Sequence, residues 1–160
     1  MRPDQCWQVI TRLDIGPALA VLHHLPFHAT NVGSTKPHKS PCFTVAPNAP
    51  LPAPIAALID NAIAILGGET ARFLFRKLGP RQGMAPHIDA ILPAETDWRR
   101  FQLPLVTDPK IVMRWLKDGQ QLHLEAGTLY EVRVDRLHEV VNESDVERIH
   151  LQIDQVNATV

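Results

Sequence analysis

The feature that most constrains the fold of this chain is a change in hydrophobic period near Ala71. From that residue onward, apolar and polar residues alternate in short segments, which is the pattern of strands that bury one face. Turn signals separate the segments, and Asp118-Gly119 and Ala126-Gly127 predict tight corners. Many short strands at near-regular spacing predict a sandwich or barrel, and we predict a jelly roll. The predicted strands cover residues 72–78, 87–92, 100–106, 111–116, 121–124, 129–134, 137–141 and 148–153.

Helical periodicity is confined to the region before this alternation. Residues 54–66 carry apolar side chains along one broad stripe, and Gly67-Gly68 ends the predicted helix. A strand over 6–13 and a short helix between Pro17 and Pro26 come earlier. A stripe of this kind needs a flat apolar partner. We therefore expect the N-terminal helices to pack on the outside of one sheet.

Residues 29–54 contain six prolines and predict an irregular surface segment with one strand at 42–45. We expect this segment to wrap around the core and to border the functional site. The element before it is too small to be a domain. The prediction is therefore a single domain over 1–160, with an N-terminal helical and loop segment (1–70) and a jelly-roll core (71–156).

Composition excludes several classes of partner. The net charge is −1 and no run of Lys or Arg occurs, so we predict no nucleic-acid partner. No apolar run approaches the ~20 residues that span a bilayer, which predicts no membrane partner. The first residues lack a signal-peptide pattern, and Cys6 and Cys42 are too few for a disulfide framework. A cytoplasmic location is therefore the expectation.

The candidate metal site begins at Pro86-His87-Ile88-Asp89. On an extended strand, His87 and Asp89 leave the same face, and Pro86 favours that extended backbone. His138 comes late in the β-rich region, where a jelly roll returns its strands beside the early ones. Two imidazoles and one carboxylate with open positions opposite them form the facial triad of non-haem Fe(II) oxygenases. A single His-x-Asp also arises by chance in a chain with eight histidines.

Arg148 adds a second element to this hypothesis. It opens a strand in which Arg148, His150, Gln152 and Asp154 share one face, while three apolar residues share the other. An arginine on an inward face needs a negative partner, because an unpaired buried charge is costly. The far carboxylate of a diacid co-substrate would supply it. The alternative is that Arg148 pairs with a surface acid, Glu147 or Asp145.

Residues 72–154 resemble the aspartyl/asparaginyl β-hydroxylase family of Fe(II)- and 2-oxoglutarate-dependent dioxygenases. The resemblance rests on the motif at 86–89, on Arg-Phe-Gln-Leu-Pro-Leu at 100–105, on Gly-Thr-Leu-Tyr-Glu-Val at 127–132, and most strongly on 138–145 and 148–154. It implies a double-stranded β-helix, that is, a cupin-like jelly roll. It implies iron ligation by His87, Asp89 and His138, and it implies that Arg148 holds the distal carboxylate of 2-oxoglutarate.

Two positions depart from the pattern of many family members. Where those members have Arg-x-His, this chain has Arg100-Phe-Gln102, so Arg100 and Gln102 are candidates for contact with either 2-oxoglutarate or the substrate. A surface location beside Arg99 is the alternative for Arg100. Vertebrate aspartyl hydroxylases lack the acidic ligand, whereas Asp89 is present here. In this respect the chain is similar to bacterial amino-acid hydroxylases such as proline hydroxylase. The presence of Asp89 also argues against a halogenase.

Other polar residues have simpler expectations. His150 either faces the pocket or is a buried histidine with a satisfied hydrogen bond, and His123 is expected to be exposed. Asn142 is expected to hold the turn after His138, since Asn-Glu-Ser-Asp is typical turn chemistry.

The functional prediction is hydroxylation of an unactivated C–H bond of an amino-acid side chain, with O2 and 2-oxoglutarate consumed. The sequence ends about six residues after the strand that begins at Arg148. That leaves no room for a C-terminal lid, so an open mouth and an Asp/Asn-type or other residue in a peptide or on a carrier are expected. A free amino acid of the proline type is one alternative. A non-catalytic cupin-like metal-binding or interaction domain is another.

Overall fold

Two antiparallel sheets face each other in a computed structural model that describes residues 1–2, 4–30, 42–45, 49–89 and 97–157. The larger sheet has seven strands in the order β1-β9-β6-β11-β4-β3-β2, and the smaller has four in the order β5-β10-β7-β8. The larger sheet comprises β1 (Trp7–Arg12), β2 (Phe27–Thr30), β3 (Cys42–Val45), β4 (Glu69–Leu78), β6 (Asp97–Val106), β9 (Thr128–Val132) and β11 (Arg148–Asn157). The smaller comprises β5 (Met84–His87), β7 (Ile111–Trp115), β8 (Gln120–Leu122) and β10 (His138–Asn142).

Two helices, α1 (Gly16–Val21) and α2 (Ala53–Leu66), share a core with the outer face of the larger sheet. Proline lies in the first turn of each helix, and the positive φ of Gly67 ends α2. The apolar stripe of α2 packs with side chains from β4, β6 and β11. The shared core includes Ile55, Leu58, Ile59, Ala62, Phe75, Phe101, Leu103, Leu151 and Ile153. Neither described helix has the length and apolarity that a membrane crossing requires.

The space between the two sheets is apolar at its ends and polar in between. One cluster contains Met113, Trp115 and Tyr130, and another contains Leu78, Ile111 and Val140. Strands β6 and β11 also present a set of buried polar side chains: Arg100, Gln102, Arg148, His150, Gln152 and Asp154. A row of this length needs many hydrogen-bond partners, because buried polar groups without them are destabilising.

The mainly β prediction is confirmed, as are the helices on the outside of one sheet. Gly119 and Gly127 have φ of 63° and 77°, which is the backbone that the predicted corners require. The predicted strand at 87–92 is wrong at residues 88–89, because the strand instead spans Met84–His87 and ends at the first residue of that range. Residues 90–92 lie outside the described residues. Pro86 is tolerated within the strand because β5 lies at the edge of the smaller sheet.

The N-terminal segment contributes more than helices and loop. β1 pairs with β9 at one edge of the larger sheet, and β3 pairs with β4 towards the other. The β2 strand was not predicted from the sequence. The prediction that the 29–54 segment borders the site falls largely outside the described residues. A single domain over the whole chain stays a prediction, and the two sheet edges built by this segment support it.

Gly83 fixes how closely β5 approaches β10. A Cβ atom at this position would lie 2.6 Å from the carbonyl oxygen of Val140, a distance that real structures do not tolerate. Glycine therefore permits the pairing of Met84 with Val140 one step further along. The same pairing brings the end of β5 beside the start of β10.

Candidate active site

Two histidines from different strands lie directly opposite each other. His87 is the last residue of β5 and His138 is the first residue of β10, and the two are paired in the antiparallel ladder. Their ring centroids are 4.4 Å apart at an interplanar angle of 49°. Strand pairing therefore brings together two imidazoles that are far apart in sequence.

The backbone sets the tautomer of both rings. The Nδ1 of His87 lies 2.7 Å from the carbonyl oxygen of Ala85, and the Nδ1 of His138 lies 2.8 Å from that of Arg136. A carbonyl oxygen only accepts, so each Nδ1 carries the proton and donates it. In its neutral form, each ring then has a lone pair on Nε2, the state in which a histidine binds a metal.

Asp89 lies just past the end of β5 and completes a group of three. Its backbone N–H donates to the carbonyl oxygen of Val134 at 2.9 Å, and its Oδ1 lies 3.4 Å from Nε2 of His87. The candidate ligand atoms of His87, Asp89 and His138 all lie within 4.8 Å of one another. Among the described residues, this is the one cluster of three or more such side chains that can hold a metal ion.

The charges around the cluster favour an ionised Asp89 carboxylate and a neutral His138 ring. Burial raises the pKa of Asp89, but the hydrogen bond with His87 and the charge of Arg100 outweigh it and lower the pKa to about 2. Burial lowers the pKa of His138. The hydrogen bond with Asp89 raises the pKa of His87, in the absence of a metal. An anionic oxygen and two imidazole nitrogens form a donor set that suits Fe(II).

Arg100 lies behind the cluster and is buried, with 3% of its surface exposed. Its Nη1 donates to Oδ2 of Asp89, while its Nε and Nη2 donate to the two oxygens of Asp154 at 2.7 and 3.0 Å. Arg72 donates to the same Asp154 carboxylate at 2.6 Å. Burial raises the pKa of Asp154, but the hydrogen bond and charge of Arg100 lower it below its ordinary value.

Arg148 belongs to a second buried group. Its Nη2 donates to Oε1 of Gln102 at 3.0 Å, and the same oxygen lies 3.0 Å from Nδ1 of His150. A guanidinium only donates, so the carbonyl side of the Gln102 amide must face Arg148. The Nδ1 of His150 therefore carries the proton. Burial, followed by the charge of Arg148, keeps the pKa of His150 well below its ordinary value, so this ring is neutral.

Two buried polar atoms, one in this group and one on a neighbouring residue of the chain, are candidates for contact with a polar ligand. Among the residues that the structure describes, neither the buried Nε2 of His150 nor the buried hydroxyl of Thr107 has a hydrogen-bond partner. Thr107 follows Val106, which pairs with Ile149 next to Arg148. Buried polar atoms seldom stay unpaired without a ligand or ordered water. A carboxylate beside Arg148 would accept from the Thr107 hydroxyl, which fits an acidic co-substrate.

The structure brings the six predicted site residues into two adjacent groups. His87, Asp89 and His138 form the first, with Arg100 bonded to Asp89 rather than lying on the surface. Gln102 and Arg148 form the second, and Arg148 faces inward. The surface acids offered as its alternative partners bind other cations, since Glu147 pairs with Lys77 and Asp145 with Arg81.

Sequence reasoning missed the roles of two residues and misplaced a third. Asp154 and Arg72 complete the network around Arg100, and the alternation that placed Asp154 on the inward face was the signal available. The expectation that His123 is exposed is wrong. It is half-buried, and its Nδ1 donates to the carbonyl oxygen of Ile111 at 3.0 Å. Asn142 holds its turn as predicted, accepting from the Ser144 N–H at 2.9 Å.

A comparison with models of protein families matches residues 45–158 to Aspartyl/Asparaginyl beta-hydroxylase. The matched segment covers most of the chain and contains every residue of the two groups described above. No curated protein is matched by sequence.

Solved structures share the fold at low sequence identity. The viral collagen prolyl hydroxylase of Paramecium Bursaria Chlorella virus-1 has a TM-score of 0.65 at 12% identity, over 96% of this chain and 97% of that one. The non-heme α-ketoglutarate-dependent carbocyclase SnoK from nogalamycin biosynthesis has a TM-score of 0.68 at 14% identity, over 97% and 81%. A Pseudomonas putida prolyl-4-hydroxylase has a TM-score of 0.58 at 18% identity, over 95% and 91%. The predicted jelly roll is thereby confirmed.

Proposed function

Because this chain belongs to the aspartyl/asparaginyl β-hydroxylase family, we propose that it hydroxylates an amino-acid side chain with His87, Asp89 and His138 holding the iron. As a member of that family it is a 2-oxoglutarate-dependent dioxygenase that uses Fe(II), 2-oxoglutarate and O2. The observation that carries the residue assignment is the convergence of two imidazole nitrogens and one carboxylate oxygen within 4.8 Å of one another. When bound, the iron supplies the oxidation in which 2-oxoglutarate becomes succinate and CO2 and one oxygen atom enters a C–H bond.

Neighbouring groups of the chain fix the orientation and charge of the three proposed ligands before a metal binds. Hydrogen bonds from Nδ1 of His87 and His138 to backbone carbonyls fix the ring orientation and direct each Nε2 towards the shared space. Asp89 contributes a negative charge that persists through the physiological pH range, since its pKa is about 2. Metal binding therefore displaces at most the proton of His87.

Arg148 is proposed to bind the distal carboxylate of 2-oxoglutarate. It is 4% exposed, and its position is fixed by the hydrogen bond to Gln102. The planar fork of donors on a guanidinium matches the geometry of a carboxylate. The buried hydroxyl of Thr107, which has no partner among the residues that the structure describes, would donate to the same group. Gln102 is thus proposed to act on co-substrate binding indirectly, because its hydrogen bond holds Arg148 in place. Direct contact of Arg100 with 2-oxoglutarate or substrate stays a prediction.

The substrate is proposed to be a residue within a peptide or on a carrier, of the Asp/Asn type or another. The support is the accessibility of the ligands, since the side chains of His87 and Asp89 are 29% and 23% exposed. Ile88, which lies between them, is 54% exposed and offers an apolar contact beside the metal position. A large molecule can present a side chain to such a site without being enclosed.

Iron and 2-oxoglutarate binding under anaerobic conditions test the proposal directly. The wild type should develop the weak visible charge-transfer band of a chelated keto acid and should form succinate when O2 is admitted. His87→Ala should lose both signals, because it removes one of three ligands. His24→Ala is the matched control, since His24 is exposed and outside the site. Absence of the band in the wild type, under conditions where a known hydroxylase shows it, would overturn the proposal.

A substrate panel separates the two substrate classes. Peptides containing Asp, Asn or Pro and the corresponding free amino acids would be incubated with the loaded enzyme, and products scored by mass spectrometry for one added oxygen atom. Peptides should be hydroxylated faster than free amino acids. Faster turnover of free proline or aspartate would contradict the peptide or carrier assignment and favour the free amino-acid alternative.

A further inference from the structure

A buried line of alternating charges runs from the surface to the proposed metal position. Arg72, with 44% of its side chain exposed, donates to Asp154, which is held by Arg100, which in turn donates to Asp89. Asp154 and Arg100 are each only 3% exposed in their side chains. Burial of charged groups is costly unless each is paired, and here each charge contacts the opposite one.

The two oxygens of Asp89 have different surroundings. Oδ2 accepts from Nη1 of Arg100, whereas Oδ1 faces Nε2 of His87 at 3.4 Å. The carboxylate therefore cannot rotate freely. Oδ1 is the oxygen that lies against an imidazole nitrogen, while Oδ2 is engaged by Arg100.

We propose that Arg100, held by Asp154 and Arg72, is a positioning residue that occupies Oδ2 of Asp89 so that the carboxylate binds the metal through Oδ1 alone. This inference rests on the proposed function, since it concerns the same metal position. A carboxylate that bound through both oxygens would take up one more position on the metal. With Oδ2 engaged, that position stays open for the co-substrate, O2 or water.

The register explains why Arg100 can hold this orientation. On adjacent strands β6 and β11, Arg100 pairs directly with Asp154, so the two side chains leave the sheet side by side. Nε and Nη2 form parallel hydrogen bonds to the two oxygens of Asp154, which fixes the plane of the guanidinium. Arg72 lies on β4, the other neighbour of β11, where it also pairs with Asp154 and forms the exposed end of the line. Nη1 is thereby directed towards Asp89.

The chain offers a matched control on the same strand. Arg99 precedes Arg100 and points to the opposite face, where it donates to Glu131 at 2.8 Å. Glu131 is 7% exposed and the side chain of Arg99 is 34% exposed, so this pair also joins a buried carboxylate to an arginine. Glu131→Gln breaks a comparable contact without touching the line to Asp89.

The test titrates Co(II) alone, without 2-oxoglutarate, into the wild type, Asp154→Asn and Glu131→Gln. Affinity is measured by calorimetry and coordination by the visible absorption of bound Co(II). Asp154→Asn should weaken Co(II) binding by about 10- to 100-fold, the usual cost of removing a partner behind a metal ligand. It should also change the visible absorption spectrum of bound Co(II), because the Asp89 carboxylate is then free to bind the metal through both oxygens. Glu131→Gln should match the wild type in both.

The outcomes separate this inference from the proposed function. If the wild type binds Co(II) and Asp154→Asn behaves like Glu131→Gln, the positioning role is overturned while the proposed function stands. If the wild type binds no Co(II), both are overturned. Circular dichroism checks that each variant is folded. If Asp154→Asn is not folded, Arg72→Gln tests the same line from its exposed end, and it should weaken Co(II) binding less but in the same direction. Unchanged binding in that variant would overturn the role.

Discussion

The two faces of β11 are equally buried and chemically opposite. On one face, Ile149, Leu151 and Ile153 pack against the helices, and on the other, Arg148, His150, Gln152 and Asp154 face the smaller sheet. No residue of either set is more than 4% exposed. Burial alone therefore does not distinguish core from site, and the chemistry of the partners does.

The difference between the faces predicts how each responds to substitution. Apolar contacts are non-directional, so the outer face contributes mainly to the free energy of unfolding. The inner face is held by directional hydrogen bonds between charged groups, whose net contribution to stability is small after desolvation. Its residues should matter chiefly for what the site binds.

Leu151→Ala should give the largest effect, and it should appear in stability alone. Leu151 is fully buried, and removing its side chain should lower the free energy of unfolding by about 2–5 kcal/mol. Urea unfolding measures this change, and Co(II) affinity of the folded variant measured below the transition should stay within error of the wild type. A loss of metal affinity in the folded variant would show that the two faces are not independent.

Arg148→Ala should have the next-largest effect, and it should appear in ligand binding rather than in the free energy of unfolding. Losing a charged hydrogen-bond donor should weaken 2-oxoglutarate binding by about 2 kcal/mol, roughly a 30-fold rise in Kd, with Co(II) affinity unchanged. Anaerobic calorimetry with the Co(II)-loaded protein measures it. Arg99→Ala, on the opposite face of β6, is the control. Equal 2-oxoglutarate affinity in Arg148→Ala and the wild type would contradict the co-substrate assignment.

His150→Gln should give the smallest effect, visible as a change in pH dependence. Because the pKa of His150 is well below 6.5 when folded, the unfolded chain binds more protons between those two values. The stability from this group is fully present above pH 6.5 and falls as the pH drops below it, by up to about 1.4 kcal/mol per pH unit. Urea unfolding between about pH 7.5 and about pH 5.5 should give a shallower slope for the variant than for the wild type. An equal slope would mean that the buried ring is not held neutral.

Most strands were predictable because they depend on local pattern. The alternation in β6, β7, β9, β10 and β11 survives in the structure with boundaries shifted by a few residues. Failures occurred where pairing, rather than pattern, determines the strand. β5 ends at His87 because Gly83 allows close contact with β10 and because Asp89 turns to bond Val134. Neither contact is visible from neighbouring residues.

The site was predictable as a set of residue types and not as a network. The spacing of His87 and Asp89, a distant His138 and an inward Arg148 were enough to suggest a metal and a diacid. The role of Arg100 was not, because its two carboxylates come from eleven residues before it and fifty-four after it. The alternative, that Arg100 lies on the surface, could be rejected only from the pairing of β6 with β11 in the structure.

The sequence by itself determined that this chain has two faces on each central strand, because side chains alternate along any extended backbone. It also determined the donor types that suit iron and a dicarboxylate. Only the tertiary structure decided which carboxylate oxygen faces the imidazoles and which is bonded to Arg100. That choice depends on the register of β6 against β11 and of β5 against β10, and register is set by contacts across the whole molecule.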